Sequence, residues 1–138
     1  PQWLLWQALI SPKLELGSVD VTAAGNGTWR VRLIVQNSGW LPTYVTKMAV
    51  KRKLLRGVLA EIKLPDGVEL VSGKPREELG ELEGWAYLHT GISFWPNRKV
   101  TADRAYVDWV VKGKAGSKLQ IAAWHDRAGR LETDVRLA

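Results

Sequence analysis

Cysteine is absent from this 138-residue chain. That excludes disulfide staples, thiolate nucleophiles and cysteine-ligated metal centres, and it leaves the compartment open between secreted and cytoplasmic. Histidine occurs only at His89 and His125, and the residues three positions on are Ile92 and Ala128, not glutamate. A zinc site would need both histidines plus a carboxylate, and no spacing here assembles one. No apolar run approaches the ~20 residues of a membrane-spanning helix. There is no Gly-x-Ser-x-Gly nucleophile elbow, and no Gly-Lys-Ser/Thr follows Gly25-Asn26-Gly27, so that segment reads as a turn and not a phosphate loop. The start, Pro1 to Trp6, has no methionine and no basic leader; it reads as a cut or processed end and not as a signal peptide.

What remains is the composition of one ordinary globular domain: 46% hydrophobic and 25% charged residues, enough apolar surface for an independent core. The net charge of +6 favours acidic partners such as nucleic acid, anionic lipid or acidic glycans, although solubility alone also produces such a balance. Eight tryptophans stand against one phenylalanine. Indoles anchor cores, interfaces and sugar-stacking platforms alike, and most of the eight are expected in the core.

Residues 3–10 are apolar and predict the end of a helix, stopped by Ser11-Pro12. Trp3, Trp6 and Ile10 fall on one face at helical spacing and would contact another domain. From Lys13 onward the period is two. Leu14 and Leu16, then Val19 and Val21, predict a strand kinked at Gly17. Trp29, Val31, Leu33 and Val35 alternate with Arg30, Arg32 and Gln36, the clearest strand in the chain. Val58 to Leu64, Val68 to Val71, Ala105 to Val111, Leu119 to Ala123 and Leu131 to Leu137 add further strands, and Glu78 to Leu82 a short edge strand. Residues 43–55 fit a helical stripe and a strand equally. Residues 85–103 form the longest stretch without firm periodicity. Seven or eight short strands without a strand–helix repeat predict an all-β fold: an antiparallel, immunoglobulin-like β-sandwich, with room for one short helix. Residues 1–11 are then a linker or the end of a preceding domain, and 12–138 the sandwich.

The candidate chemistry is thin. Glu77, Glu78, Glu81 and Glu83 could supply a glycosidase pair, but a solvated charged edge is the simpler expectation, as it is for Asp103 and Asp108. The two histidines are expected on the surface or in loops. Lys51-Arg52-Lys53 with Arg56, and Arg98, Lys99 and Arg104 beside Trp95, could hold a single-stranded nucleic acid; the acidic strip at 77–83 competes with them. Trp40, Trp85, Trp95 and Trp124 are least tied to an inward pattern. Trp40, Trp95, Arg98 and Trp124 are the candidate binding surface, for a sugar or for another domain.

Several segments, taken in order, carry a resemblance: Pro12-Lys13-Leu14-Glu15-Leu16, Asn37-Ser38-Gly39-Trp40-Leu41-Pro42-Thr43, Glu78-Leu79-Gly80-Glu81-Leu82-Glu83-Gly84, Val107-Asp108-Trp109-Val110-Val111-Lys112-Gly113 and Arg127-Ala128-Gly129. The set resembles the β-sandwich region that follows the catalytic domain in certain bacterial zinc carboxypeptidases of the carboxypeptidase A-like family. The resemblance runs from about Pro12 to the end. It implies a parent that removes C-terminal residues from peptides with one zinc ion and a glutamate base. The family's His-x-x-Glu pair and later histidine have no counterpart here, so no catalytic residue and no cofactor is expected in this chain, and zinc belongs to the parent's catalytic domain. The implied partner is that preceding domain. A peptide or glycan is the next candidate, nucleic acid ranks below, and no membrane span is expected. The alternative is an independent module binding glycans or single-stranded nucleic acid.

Overall fold

A computed structural model describes residues 1–89 and 101–138, with the side chains of 88 and 89 left aside. Eight strands form two antiparallel sheets: β1 (Leu14–Gly25), β2 (Thr28–Asn37), β3 (Val58–Lys63), β4 (Glu69–Ser72), β5 (Arg76–Gly80), β6 (Arg104–Lys112), β7 (Lys118–His125) and β8 (Gly129–Arg136). One sheet runs β1-β2-β6-β4 and the other β5-β3-β7-β8. The first has the A-B-E-D order of an immunoglobulin constant-type domain, and β3-β7-β8 has the C-F-G order, with β5 added as an edge strand beside β3. The antiparallel sandwich expected from the alternation is therefore the fold.

The core lies where the two inner faces meet. Val31, Leu33 and Val35 of β2 and Val107, Trp109 and Val111 of β6 are buried in one sheet. Val58, Ala60 and Ile62 of β3 and Leu119, Ile121 and Ala123 of β7 are buried in the other. Each set is spaced by two, which puts one face of every central strand inward. Most of the tryptophans are not there, against the expectation. Among the described residues only Trp109 is fully buried, Trp29 and Trp124 are half-buried, and Trp3, Trp6, Trp40 and Trp85 are exposed. The inner positions are filled by branched aliphatics across a gap of about 10 Å, and one indole fits where Gly73 leaves room: a Cβ there would lie 3.0 Å from the Trp109 ring. The Trp109 Nε1–H donates to the Lys74 carbonyl at 2.8 Å, so its polar edge is satisfied.

The kink expected at Gly17 is a break in the β1–β2 register between Leu16 and Ser18. Residues 43–55 resolve as a short helix, α2 (Lys47–Lys51), which the Thr46 hydroxyl caps by accepting from the Ala49 N–H at 3.1 Å. The stretch after Gly84 opens with α3 (Trp85–His89). The expected N-terminal helix is α1 (Gln2–Ile10). It is apolar on all sides and not only along the Trp3–Trp6–Ile10 face, because Leu4, Leu5 and Leu9 fill the rest of the circumference. No helix of the described residues is long and apolar enough to cross a membrane.

Candidate functional site

The strand ends carry the connections to one end of the sandwich. There α1, the 38–46 loop, α2, the 81–84 segment, α3 and the β7–β8 turn converge, held by backbone hydrogen bonds: Leu41 N–H to Ile10 O (2.9 Å), Thr43 N–H to Leu82 O (2.9 Å), Glu83 N–H to Ala102 O (2.9 Å), Trp85 N–H to Gly39 O (3.0 Å) and Leu14 N–H to Ala128 O (2.8 Å). The approach is close enough that a side chain is excluded at two points. A Cβ at Gly39 would lie 2.1 Å from the Ser11 carbonyl oxygen, and one at Gly84 would lie 2.4 Å from that of Trp40.

Asn37, the fully buried last residue of β2, is the hub of this end. Its Oδ1 accepts from the Lys13 N–H at 2.9 Å and the Gly39 N–H at 3.0 Å; its Nδ2 donates to the carbonyls of Leu41 at 2.8 Å and Glu83 at 3.2 Å. All four capacities of the amide are used, so one side chain ties the exit of α1, the 38–41 turn and the 81–84 segment together.

A second buried cluster lies beneath the loop. The Glu81 carboxylate accepts from the Thr43 hydroxyl and, through Oε2, from the His125 ring at 3.1 Å. The side chains of His125 and Glu81 are only 3% and 8% exposed. His125 Nδ1 accepts from the Arg127 N–H at 3.1 Å, which leaves Nε2 to carry the proton of the neutral ring. The Arg127 guanidinium donates to the Thr43 carbonyl at 3.1 Å, and the Leu82 N–H donates to Thr43 Oγ1 at 2.9 Å. Glu81 Oε1 is buried and has no hydrogen-bond partner among the described residues. Beside it, Tyr44 donates its hydroxyl to Glu83 at 2.5 Å; burial, then that carboxylate, push the phenol's pKa well above the usual range.

These positions correct three expectations, for Glu81, His125 and Asp103. Glu81 is not part of a solvated edge: the chain leaves β5 at Gly80 and turns Glu81 inward against Thr43. His125 is not on the surface. It follows Leu119, Ile121 and Ala123 in the inward phase of β7, a spacing visible in the sequence. Asp103 is buried as well and pairs with Arg104 at 3.3 Å, and Asp108 holds Arg32 through two bonds of 2.7 Å on the outer face of the first sheet.

Of the four candidate binding residues, Trp40 and Trp124 are among the described residues. Trp40 is exposed at the loop-bearing end. Trp124 stands on the outer face of the second sheet, with the guanidinium groups of Arg130 and Arg76 over its ring at 4.9 and 5.3 Å. Trp95 and Arg98 lie outside the described residues, as does Lys99; Arg104, the third basic residue of that group, begins β6. A recess of about 590 Å³ lies at the opposite end among Gly27, Trp29, Gly67, Glu69, Lys112 and Gly113, with no histidine and no hydroxyl nucleophile in its lining. Among the described residues no group of three or more metal-ligating side chains could hold an ion.

What the loop-bearing end does present is apolar surface. Trp3, Leu4, Leu5, Trp6 and Leu9 of α1, Trp40, Val45, Met48, Val50 and Leu54 of the 38–57 region, and Trp85 of α3 are all exposed. Sequence reasoning picked Trp3, Trp6, Trp40 and Trp85 from this set and missed the aliphatic residues at 45–54, which lie in a stretch that fits helix and strand alike.

No curated protein matches the chain. Residues 13–136, nearly all of the sandwich and none of α1, match the family described as Domain of unknown function (DUF8731), and the chain belongs to that family.

Proposed function

We propose that this chain is a non-catalytic accessory domain that docks through α1 onto a neighbouring domain of the same protein. The observation that carries the reading is the state of α1. Trp3, Trp6 and Leu9 are 58%, 62% and 80% exposed, and no residue of the helix is buried. A helix that is apolar all round is stable in water only when something covers it, and an exposed apolar patch of this kind marks an interaction site. The end of α1 is tied to the sandwich by the Leu41 N–H, which donates to the Ile10 carbonyl at 2.9 Å, and by Asn37, which holds the Lys13 N–H just beyond the helix.

The resemblance of the ordered motifs around Asn37, Glu81 and Arg127 supports one neighbour, the catalytic domain of a zinc carboxypeptidase, which would contribute the zinc and the general base. The sandwich then supports or positions that domain or its peptide substrate. The coding sequence upstream of Pro1 tests this. A continuous frame with a His-x-x-Glu pair and a later histidine is the expected result. A start codon directly before Pro1 contradicts it, as does zinc-dependent release of C-terminal residues by residues 1–138 alone.

A further inference from the structure

The charge of the chain is concentrated in one place. The segment from Lys47 to Gly57 holds Lys47, Lys51, Arg52, Lys53 and Arg56 and no acidic residue, while the rest of the chain carries 15 basic and 14 acidic side chains, a net +1. All five basic residues are exposed, and among the described residues none of them forms an ion pair. Of the acidic residues nearest in the fold, Glu81 serves Thr43 and His125, Glu83 serves Tyr44, and the exposed Glu78 accepts from the Gly57 N–H at 2.9 Å. Five exposed cations against one exposed neighbouring carboxylate leave the segment with an excess of positive charge toward solvent.

The same segment exposes Val45, Met48, Val50 and Leu54. At about 100° per residue, Lys47, Met48, Lys51 and Arg52 fall on one side of α2. Lysine and arginine interleaved with exposed aliphatic side chains is the pattern of an interfacial element, in which apolar groups enter the acyl boundary and the long cationic side chains reach the headgroups. Two features separate this from other acidic partners. Single-stranded nucleic acid needs aromatic platforms between the cations, and residues 45–56 contain none. Protein interfaces are depleted in lysine, and three of the five cations are lysines.

We propose that the face formed by α2 and the turn after it, from Val45 to Arg56, binds an anionic phospholipid surface. The attraction is additive over the basic residues and is screened by salt. It does not depend on what covers α1.

Sedimentation of the chain with phosphatidylcholine vesicles, and with mixed phosphatidylcholine–phosphatidylglycerol vesicles, tests the proposal. Binding to the mixed vesicles alone is expected, with loss at high salt. The variant K47Q/K51Q/K53Q should lower the partition coefficient by about a hundredfold. These side chains are exposed and unpaired, so the variant keeps its fold. W3S/W6S, which removes the aromatic part of α1, should leave the preference for the anionic vesicles intact. Equal sedimentation with both vesicle types, or a preference abolished by W3S/W6S and not by the lysine variant, overturns the proposal. So does lysine-dependent binding to a single-stranded oligonucleotide with none to the anionic vesicles.

Discussion

Nε2 of His125 lies 3.1 Å from Oε2 of Glu81, although the two residues are 44 positions apart and belong to neither the same strand nor the same turn. Thr43 and Arg127 complete the group, so a carboxylate and an imidazole are buried together under the 38–46 loop. The arrangement joins the end of β7 to the 38–46 loop and fixes the floor of that end of the molecule.

Glu81→Ala should therefore be costly. It leaves the His125 Nε2–H without its acceptor in a closed space and the Thr43 hydroxyl with only the Leu82 carbonyl at 3.3 Å, a loss of about 3 kcal/mol. Glu81→Gln keeps an acceptor for both and should cost about 1 kcal/mol or less. Urea denaturation followed by tryptophan fluorescence measures the difference; equal stability of both variants would remove the cluster's structural role.

Asn37→Asp preserves size and Oδ1 but replaces the Nδ2 donor that serves the carbonyls of Leu41 and Glu83. The expected loss is about 2 to 3 kcal/mol. Hydrogen exchange should speed up at the amides of Leu41, Thr43 and Glu83 before it does in the central strands. A uniform change across the sandwich would contradict the role of Asn37 as a local tie.

Trp109→Ala removes the largest side chain of the core and should cost about 3 to 5 kcal/mol. Trp109→Leu should recover part of that loss. Thermal denaturation distinguishes the two, and a neutral Trp109→Ala would contradict the placement of the indole between the sheets.

Two groups give stability a pH dependence at the extremes. The Asp108 carboxyl is held below its ordinary value of 3.8 chiefly by its hydrogen bonds to Arg32. A depressed pKa contributes stability above that ordinary value, and the contribution is lost as pH falls through the lower, folded value. Asp108→Asn should flatten the acid limb of the stability curve in that window. The Tyr44 phenol is raised by burial and by Glu83, so its contribution is complete below pH 10 and is lost as pH rises toward the folded value. Tyr44→Phe should remove the latest phase of tyrosinate absorbance in an alkaline titration. A wild-type titration in which every tyrosine ionises at the ordinary pH would contradict the Tyr44–Glu83 bond.

Much of the sandwich is legible in the sequence because its central strands keep a strict period of two. Val31, Leu33 and Val35, and Val107, Trp109 and Val111, are inward in the structure as their spacing requires. The loop-bearing end is less legible. Thr43, Glu81 and Arg127 have no mutual spacing in the chain, and their meeting depends on how the 38–46 loop crosses the 81–84 segment, a tertiary relationship that no local pattern encodes. His125 was readable from its phase with Ala123. The exposed tryptophans mislead in the opposite direction, because indoles are as useful at an interface as in a core.

The central claim is that α1 is the docking element. It is tested most directly by amide hydrogen exchange across Gln2–Ile10, comparing residues 1–138 alone with the protein translated from the upstream frame. Slow exchange of α1 in the longer protein, fast exchange in the isolated chain, and β2 and β6 protected in both is the predicted result. Equal, fast exchange of α1 in both would contradict docking through this helix.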